Sequence, residues 1–351
     1  MLSNAFLERH LFHRSLLSDL LYPASLVYST IQDRRRIRGL SRAVRAAFPL
    51  IGIGNIVSGG SGKTPFTLAL ATAIEADGYK AAVSHRGYKG RLEGTPSLIS
   101  RGAGPLFPAS VCGDEAWLLA KTLPGIPVVV GKDRKSAIDM LAELDPRPDI
   151  VLLDDVFQNH GLIKNIDIAC FDAGVGIGNG RTIPAGYLRE GLPALKRAGL
   201  CVITRKDVSL DPASLVSNIK PFCPRVVVLD YGLTGIEDVD GALLKADRNL
   251  KSILVSGIAF PAGFEGLARV AGITCTRHFA FGDHYHFRSR EALRPMLQHI
   301  RREGIQRILC TAKDVAKLSH HKDLRPLLAV LKLGPDQSEV DSIWQRIKER
   351  L

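Results

Sequence analysis

A glycine-rich segment between a short apolar run and a helix-like stretch constrains the fold of this chain more than any other feature. The segment reads Val-Ser-Gly-Gly-Ser-Gly-Lys-Thr and extends from Val57 to Thr64. It follows the apolar run 50–53 and precedes the helix-like run 66–73. A strand, a glycine loop and a helix in this order are typical of a P-loop, in which backbone N–H groups and the helix N-terminus face phosphates.

The residue types in this segment are those that binding of a nucleoside triphosphate requires. Lys63 would reach the β and γ phosphate oxygens, and the Thr64 hydroxyl would help to hold Mg²⁺. Val57 stands where the strict pattern GxxxxGK[ST] has its first glycine. An ordinary glycine turn would explain the glycines but not the Gly-Lys-Thr ending. We therefore predict that ATP is bound by Val57, Ser58, Gly59, Gly60, Ser61, Gly62, Lys63 and Thr64.

A second run predicts the acidic part of the same site. Residues 149–155 read Asp-Ile-Val-Leu-Leu-Asp-Asp, which is the pattern of a buried strand that ends in two carboxylates. Such a strand supplies the Walker B aspartate to Mg²⁺ in P-loop proteins. We predict that Thr64, Asp154 and Asp155 hold the metal. The alternative is a strand-end turn with solvated aspartates.

Length and charge limit the classes of partner. A chain of 351 residues with 46% hydrophobic composition can bury a large core and is expected to form two domains. The formal net charge of +12 predicts an anionic partner, namely nucleic acid, an anionic membrane surface or a phosphorylated substrate. Nucleic acid is least favoured, because aromatic residues are only 6% and no zinc-finger, RRM or KH pattern is found.

The cysteines and the first residues indicate the compartment. The six cysteines are widely spaced and include no CxxC pair, which predicts buried thiols in a reducing compartment rather than disulfides or a zinc site. The residues at the amino terminus do not have the pattern of a signal peptide. We expect a cytoplasmic protein and a monomer.

The first 47 residues have the composition of a membrane-surface segment. Apolar residues recur at helical spacing between Leu16 and Ile31, and a cluster of arginines follows from Arg34 to Arg45. A helix over 16–31 would be about 24 Å long, shorter than the hydrocarbon core of about 30 Å, and Ser18, Asp19 and Pro23 are expected to interrupt it. We predict a helix that lies on an anionic membrane. The alternative is a helix packed on the globular body.

Apolar strand-like runs alternate with helical runs over the rest of the chain. This alternation predicts an α/β fold, a P-loop NTPase-like doubly wound sheet with a second, smaller α/β domain. A proline-rich stretch at 221–224 separates the two. The predicted organisation is a membrane-associating segment (1–47), a P-loop domain (48–222), a smaller α/β domain (226–336) and a C-terminal helix packed on the first domain (337–351).

Polar clusters at the predicted strand ends occur in an order that resembles one known family. The clusters are Arg-Gly-Tyr (86–88), Gly-Asp-Glu (113–115), Asp-Asp (154–155), Phe-Gln (157–158), the stretch 180–190 with Pro-Ala-Gly and Leu-Arg-Glu, and Asp-His-Tyr (283–285). With the glycine loop, they resemble the tetraacyldisaccharide 4′-kinase family across nearly the whole chain. The resemblance implies transfer of the γ-phosphoryl of ATP to the 4′-hydroxyl of an acylated glucosamine disaccharide 1-phosphate. This reaction forms lipid IVA in lipid A biosynthesis, at the inner leaflet of the bacterial inner membrane.

The resemblance also implies roles for individual residues. Lys63 acts on the phosphates, Asp114 is the base that accepts the sugar hydroxyl proton, and His284 pairs with Asp114 when the two domains close. The alternatives are that Asp114 is only an N-cap and that His284 is a solvated loop histidine. Further residues are expected near the substrate, although the Arg189–Glu190 pair would also fit an ordinary surface ion pair: Arg86, Tyr88, Glu115, Gln158, Arg189 and Glu190.

Four positions depart from the family pattern. Val156 and Lys89 each replace a glycine, Asn159 replaces a histidine and Ala312 replaces a glutamate. None of them removes a predicted catalytic group, but Val156 and Asn159 leave the shape of the loop beside the metal open.

Two other functional classes fit part of the sequence. A regulatory or partition-type P-loop ATPase at the membrane surface would use the loop and the basic segment, but its loop carries a lysine where Ser58 stands here. A membrane adaptor without catalysis would use the helix alone, and the intact Lys63, Thr64 and Asp154 disfavour it. The kinase is the preferred interpretation.

Overall fold

The chain is described by a computed structural model that covers residues 10–59, 61–205, 210–245, 250–258, 261–282 and 285–351. These residues form two compact units. Unit 1 contains the residues up to 205, the stretch 210–229 and the C-terminal residues 337–351. Unit 2 contains residues 230–336.

Helices and strands alternate along most of the chain. The helices are α1 (Leu16–Leu40), α2 (Lys63–Ala76), α3 (Ala109–Cys112), α4 (Asp114–Thr122), α5 (Arg134–Asp139), α6 (Ala213–Ile219), α7 (Pro261–Val270), α8 (Arg290–Glu303), α9 (Ala312–Leu318) and α10 (Gln337–Lys348), with 3₁₀ turns at Met140–Glu143, Leu192–Arg197 and Arg325–Leu327. The strands are β1 (Val44–Arg45), β2 (Leu50–Gly54), β3 (Ala81–His85), β4 (Ser97–Arg101), β5 (Pro127–Val130), β6 (Ile150–Asp154), β7 (Leu162–Ile163), β8 (Ile166–Asp172), β9 (Leu200–Arg205), β10 (Val226–Glu237), β11 (Ser252–Ser256), β12 (Cys275–Ala280), β13 (Arg307–Cys310) and β14 (Leu328–Pro335).

The sheet of unit 1 has the strand order β9-β8-β2-β6-β3-β5-β4. All neighbours in this order are parallel except β4, which is antiparallel to β5. Every residue of β2, β3 and β6 is buried, as expected for parallel strands covered on both faces. The register pairs Ile53 of β2 with Asp154 of β6, so the loop after β2 and the acidic end of β6 begin side by side.

Unit 2 has its own sheet and core. Its strand order is β12-β11-β13-β14-β10, parallel except for the antiparallel pair β10 and β14. Phe287, Leu293 and Met296 pack with strand residues such as Ile253 and Ile308 in its core. The predicted α/β fold, with a large and mostly parallel sheet, is confirmed.

Helix α1 differs from its prediction in length and in the face that it buries. It continues through Pro23 to Leu40, so it includes most of the arginines and is about 37 Å long at 25 residues. The prediction that Ser18, Asp19 and Pro23 interrupt the helix is therefore wrong. A proline removes one helical hydrogen bond, but the next turn is held by Ser25, whose hydroxyl bonds to two backbone groups of the loop at 182–185. None of the helices in the part of the chain that the structure describes is both long and apolar enough to cross a membrane.

The C-terminal helix α10 packs against α2 of unit 1. Trp344 is 1% exposed, and its indole Nε1 donates a hydrogen bond of 2.8 Å to Asp77 Oδ2. Lys348 Nζ lies 2.8 Å from the same oxygen. Together these bonds lower the pKa of Asp77, which follows the last turn of α2. The last residues of the chain thus belong to the unit that contains the glycine loop.

The cysteines are free thiols. Cys112, Cys170, Cys201, Cys223 and Cys310 are buried, and Cys275 is half-buried. Burial raises the pKa of Cys170 to about 12 and that of Cys112 to about 11. Such thiols stay protonated at neutral pH and are poor nucleophiles. The prediction of buried thiols is confirmed for the five core cysteines.

Candidate active site

The glycine-rich segment connects β2 to α2, as the sequence predicts. Asn55 is buried at the start of the loop and donates a hydrogen bond of 2.8 Å from Nδ2 to Ser61 Oγ, which fixes the two ends of the loop to each other. Gly62 directly precedes α2 with a φ of 74°, in the left-handed region that favours glycine. A side chain at this position would also meet Thr204. The backbone therefore requires the glycine of the Gly-Lys-Thr ending.

The departure at Val57 has a local explanation. Val57 forms an antiparallel bridge with Leu188 and is buried in a cluster with Ile56 and Phe157. The first residue of the loop is thus in extended, sheet-like contact with a second segment. A β-branched side chain suits such a buried, extended position.

The loop lysine and threonine lie beside the two aspartates at the end of β6. Lys63 Nζ is 3.4 Å from Asp155 Oδ1 and 3.4 Å from Ser61 Oγ. The Thr64 hydroxyl donates a hydrogen bond of 3.2 Å to Asp154 Oδ2. The structure therefore brings Lys63, which is predicted to act on the phosphates, next to the three predicted metal ligands Thr64, Asp154 and Asp155.

The two aspartates have opposite electrostatic environments. Burial raises the pKa of Asp154, an effect that His85 and Lys63 only partly offset. Burial also acts on Asp155, but Lys63 and Arg189 outweigh it and lower the pKa of this carboxyl. Asp155 has a φ of 51°, unusual for a residue with a side chain, and its N–H donates to Asp154 Oδ1 at 2.9 Å. Such local strain is common at functional sites.

A buried arginine that the sequence analysis did not select supports the aspartates. Arg134, in the first turn of α5, is 4% exposed and donates a hydrogen bond of 2.6 Å to the carbonyl of Asp154. It also donates to Ser84 Oγ at 3.3 Å. Burial lowers the pKa of Arg134 to about 10, so its positive charge persists at neutral pH. Arg134 lies in the segment directly after the parallel strand β5, and this position could have identified it as a candidate site residue.

Asp114 and Glu115 begin helix α4 at the same edge of the sheet. The N-cap of α4 is Gly113, so Asp114 is the first helical residue and the N-cap interpretation is wrong. Glu115 Oε2 lies 3.3 Å from Nε2 of the buried His85. The N–H of Gly87 donates to His85 Nδ1 at 2.9 Å, which leaves the proton of a neutral imidazole on Nε2, facing Glu115.

Arg86 and Tyr88 lie in an exposed turn next to this helix. Arg86 pairs with Glu93 at 2.7 Å, and its guanidinium lies 5.9 Å from the centre of the Tyr88 ring. A Cβ on Gly113 would come within 2.8 Å of the Tyr88 carbonyl oxygen, so a glycine is required for this turn to approach α4. Lys89, which replaces a glycine of the family pattern, has a φ of 60°. Arg86 and Tyr88 contact each other, Glu93 and Lys89, all within residues 86–93.

Arg189 and Glu190 do not form a pair with each other. Arg189 faces the acidic site, with a distance of 3.6 Å between its terminal nitrogen and Asp155 Oδ1. Glu190 accepts hydrogen bonds of 2.7 and 2.8 Å from Arg197 and one of 2.9 Å from Gln158. Gln158 also donates to the carbonyl of Asn55 at 2.8 Å. The surface-pair interpretation is wrong, and Gln158 with Glu190 supports the start of the glycine loop.

Two of the other departures from the family pattern lie in the segment after β6, and the third lies in unit 2. Val156 is buried, and its N–H donates to the carbonyl of Ile53 at 3.1 Å. Asn159 Oδ1 accepts a hydrogen bond of 3.0 Å from the N–H of Gly161. Ala312 is the first residue of α9, after the N-cap Thr311. These residues have structural contacts of their own, which explains the local shape of the segment.

The pairing of His284 with Asp114 and the metal site are two predictions that the described residues alone do not test. His284 and its neighbour Asp283 lie outside the described residues, so the proposed pairing of His284 with Asp114 stays a prediction. Among the residues covered by the structure, no group of three or more His, Cys, Asp or Glu side chains could hold a metal by itself. A Mg²⁺ ion bound together with a nucleotide usually takes one or two carboxylates, and the phosphates and waters complete its shell.

Comparison with known proteins assigns the family. A profile of the family described as Tetraacyldisaccharide-1-P 4′-kinase matches residues 17–351. The chain belongs to this family. The tetraacyldisaccharide 4′-kinase of Pelobacter propionicus is 36% identical over 330 residues, 89% of this chain and 86% of its own length. The tetraacyldisaccharide 4′-kinase of Geobacter sulfurreducens is 37% identical over 333 residues, 92% of this chain and 90% of its own length.

A solved structure has the same fold as this member of the tetraacyldisaccharide 4′-kinase family. It is described as the "apo" form of LpxK from Aquifex aeolicus in complex with ATP. The TM-score is 0.73 with 24% sequence identity, over 95% of this chain and 99% of the other. The resemblance inferred from the order of the motifs is confirmed at the level of family and fold.

Proposed function

We propose that this chain transfers the γ-phosphoryl group of ATP to the 4′-hydroxyl of a tetraacylated glucosamine disaccharide 1-phosphate. The observation that carries the proposal is the cluster of Lys63, Thr64, Asp154 and Asp155 at the end of β2 and β6. Family membership then supplies the acceptor. A regulatory ATPase would need the same cluster, but the family match does not favour it.

The nucleotide would bind with its phosphates on the glycine loop. Lys63 would exchange Asp155 for the phosphate oxygens, and N–H groups at the start of α2 would add to the positive field. Arg134 and Arg189 keep two further positive charges close to the aspartates. These charges suit phosphoryl transfer, in which most of the catalysis is positioning and charge stabilisation.

The aspartates fit a bound Mg²⁺ ion. Asp155 Oδ1 is buried and accepts no hydrogen bond from the described residues, and it would bind the ion once Lys63, its ion-pair partner, turns to the phosphates. Asp154 Oδ2 and the Thr64 hydroxyl lie 3.2 Å from each other. Thr64 and the two aspartates would hold the ion, which neutralises phosphate charge when it is bound.

Asp114 is the proposed base for the acceptor hydroxyl. It begins α4, directly before Glu115, whose position is fixed by His85. A positioned base typically adds about 10²- to 10⁴-fold to the rate. His284 is proposed to orient Asp114, and Arg86 and Tyr88 are proposed to contact the disaccharide.

Helix α1 supports a peripheral position on the cytoplasmic face of the inner membrane. Its serines Ser18 and Ser25 are buried, whereas the large apolar side chains Leu16, Leu20, Leu26 and Val27 are exposed. An exposed row of apolar side chains next to arginines is typical of a helix that lies in the headgroup region of an anionic bilayer. The acylated substrate would be reached from the same surface.

The test is transfer of labelled γ-phosphate from ATP to a tetraacylated disaccharide 1-phosphate in detergent. We expect labelled bis-phosphorylated lipid with the wild type and its loss with Lys63→Ala and with Asp114→Ala. Lys135→Ala is the matched control, since Lys135 pairs with Asp139 on the exposed face of α5. Hydrolysis of ATP without any lipid product would contradict the kinase and favour the regulatory ATPase.

A further inference from the structure

One loop of unit 1 contacts both the amino-terminal segment and the glycine-rich nucleotide loop. It consists of residues 178–190, and we refer to it as the 178–190 loop. It begins beyond the end of β8 and ends beside Asp155, where Arg189 enters the candidate active site. Its contacts on the two sides are different in kind.

Arg181 holds the first turns of α1. Its guanidinium lies 2.6 Å from Asp19 Oδ1 and donates a hydrogen bond of 3.1 Å to the Ser18 hydroxyl. The same guanidinium lies 4.7 Å from the centre of the Tyr22 ring. Ser18, Asp19 and Tyr22 of α1 therefore all contact one side chain of the 178–190 loop.

The next turns of α1 are held by hydroxyl groups. The Ser25 hydroxyl donates a hydrogen bond of 2.8 Å to the carbonyl of Thr182 and accepts one of 2.9 Å from the N–H of Ala185. Ser29 lies 3.0 Å from the Thr182 hydroxyl. The face of α1 that carries the serines therefore lies on the loop, and the leucine-rich face points away from it.

The residues before α1 contact the same loop. Asn179 Nδ2 donates to the carbonyl of His10 at 2.8 Å, and the N–H of Asn179 donates to the carbonyl of Leu11 at 3.1 Å. The Phe12 ring lies 5.0 Å from the Tyr187 ring, centre to centre. The stretch from His10 to Ser29 thus reaches the 178–190 loop at several successive positions.

The other side of the 178–190 loop supports the nucleotide loop. The N–H of Ser58 donates to the carbonyl of Tyr187 at 2.9 Å, and the N–H of Arg189 donates to the carbonyl of Ile56 at 2.6 Å. The Tyr187 hydroxyl lies against Gly59 and leaves no room for a Cβ at this position. With the bridge between Val57 and Leu188, these bonds set the backbone of the first residues of the nucleotide loop.

We propose that Tyr187 is a positioning residue for ATP and that the 178–190 loop couples membrane binding of α1 to nucleotide affinity. This inference rests on the proposed membrane role of α1. The apolar face of α1 is free to enter a bilayer while its serine face stays on the loop, so membrane and ATP bind the same arrangement of the loop. Both ligands then stabilise that arrangement relative to one in which α1 has left the loop. Each ligand therefore increases the affinity for the other.

The coupling has a stringent thermodynamic form. If vesicles increase the affinity for nucleotide by some factor, nucleotide must increase the affinity for vesicles by the same factor. Couplings between sites typically amount to about 5- to 150-fold. A loop that served only as packing would change stability, but it would produce no such reciprocal effect.

The test measures binding of the non-hydrolysable analogue AMP-PNP with Mg²⁺, without any acceptor lipid. Affinity is measured with the full chain in buffer and with phosphatidylglycerol–phosphatidylcholine vesicles, and vesicle binding is measured by flotation with and without AMP-PNP. We expect about a fivefold or greater increase in AMP-PNP affinity with vesicles, and an equal increase in vesicle affinity with AMP-PNP.

Variants separate the coupling from the two binding events. Ser25→Ala removes the two hydrogen bonds to the loop from a buried position of α1, away from the leucine-rich face. We expect Ser25→Ala to float with vesicles and to bind AMP-PNP in buffer as the wild type does, without the increase caused by vesicles. Thr30→Ala is the matched control, because the Thr30 hydroxyl bonds to Leu26 within the helix. Tyr187→Ala should lower AMP-PNP affinity even in buffer. Tyr187→Phe keeps the aromatic ring and with it the contact to Phe12.

The outcomes distinguish this inference from the proposed function. If the wild type floats with vesicles but its AMP-PNP affinity does not change, the coupling is overturned and the membrane role stands. If the wild type does not float, both the membrane role and the coupling are overturned, and the kinase assay is unaffected. If Ser25→Ala retains the full increase, the 178–190 loop does not carry the coupling.

Discussion

Lys63 and Asp155 face each other across the candidate active site, with 3.4 Å between Nζ and Oδ1. A terminal nitrogen of Arg189 lies 3.6 Å from the same oxygen. The lysine that should bind phosphate is therefore paired with a carboxylate that should bind the metal. When phosphate and metal bind together, each would neutralise one of these two charges, because Lys63 would contact the phosphates and Asp155 the metal.

The pairing of Lys63 with Asp155 predicts that Asp155→Asn affects ATP binding and metal-dependent transfer in opposite directions. Without Mg²⁺, the variant should bind ATP several-fold more tightly than the wild type, because Lys63 is released and one negative charge near the phosphates is removed. With Mg²⁺, transfer to the lipid acceptor should fall by about 100-fold or more, since charge neutralisation by the metal is weakened. Titration of ATP with and without Mg²⁺, together with the transfer assay, measures both effects.

A surface aspartate provides the control for that variant. Asp139→Asn changes the same functional group at an exposed position paired with Lys135. It should leave the Mg²⁺ dependence of ATP affinity as it is in the wild type. An Asp155→Asn enzyme with full activity and ordinary Mg²⁺ dependence would rule out Asp155 as a metal ligand.

A second prediction follows from the buried carboxyl of Asp154, whose pKa is raised mainly by burial. An aspartate in the unfolded chain has a pKa of about 3.9. Between that value and the raised native pKa, the folded protein holds the proton more strongly, so stability falls as pH rises through this range. Asp154→Asn removes this loss and should stabilise the metal-free protein on the order of 1 kcal/mol at neutral pH, while it abolishes transfer.

Thermal unfolding in EDTA at a series of pH values checks this prediction. The difference in stability between Asp154→Asn and the wild type should be smallest near pH 4 and should grow toward neutral pH. The variant keeps a partner for the Thr64 hydroxyl, which bonds to Asp154 Oδ2 in the wild type. A variant that is less stable than the wild type at neutral pH would contradict the prediction.

Local patterns explain why much of the site could be predicted. A buried run, a glycine loop and a helix are encoded within about twenty consecutive residues, and the acidic end of β6 is equally local. Parallel pairing of β2 with β6 then brings Lys63, Thr64, Asp154 and Asp155 together. The fold class follows from the same alternation of strands and helices.

Contacts between distant segments explain what could not be predicted. Arg134 is one arginine among many in the sequence, and only its burial against the Asp154 carbonyl distinguishes it. The bond of Glu190 to Arg197, rather than to its neighbour Arg189, depends on how the 178–190 loop folds. Helical spacing identifies an apolar stripe on α1, but it does not show that Ser18 and Ser25 are the buried residues of this helix. Tertiary packing decides each of these.

Lys89 supports a prediction about stability that is independent of catalysis. Its φ of 60° lies in the left-handed region, which costs a residue with a Cβ about 1 kcal/mol or more. Lys89→Gly should relieve this strain and, after the greater entropy of glycine in the unfolded chain, stabilise the protein by about 0.5 kcal/mol. Lys89→Ala is the matched control, because it removes the same side chain and keeps the Cβ. Chemical denaturation of the three proteins measures the difference, and equal effects of glycine and alanine would refute the strain.

The exposed leucines of α1 carry the last prediction. Leu16 is 89% exposed and Leu20 is 77% exposed, on the face of the helix away from the 178–190 loop. Insertion of a leucine into a bilayer gains about 1.5–3 kcal/mol when it is complete, so Leu16→Ser with Leu20→Ser should weaken vesicle binding by at least about tenfold. Both residues are exposed in the folded chain, so its thermal stability should stay the same.

A substitution of an exposed leucine in unit 2 is the control for a general loss of exposed apolar surface. Leu243 is 76% exposed, and Leu243→Ser should leave flotation with phosphatidylglycerol vesicles unchanged. Transfer to a short-chain, water-soluble acceptor should also be retained by the Leu16→Ser and Leu20→Ser variant, since its nucleotide site is intact. Transfer to acceptor embedded in vesicles should fall with the loss of binding, because the enzyme then meets its acyl substrate less often. Equal flotation of the wild type and this variant would show that the exposed leucines of α1 do not contact the bilayer.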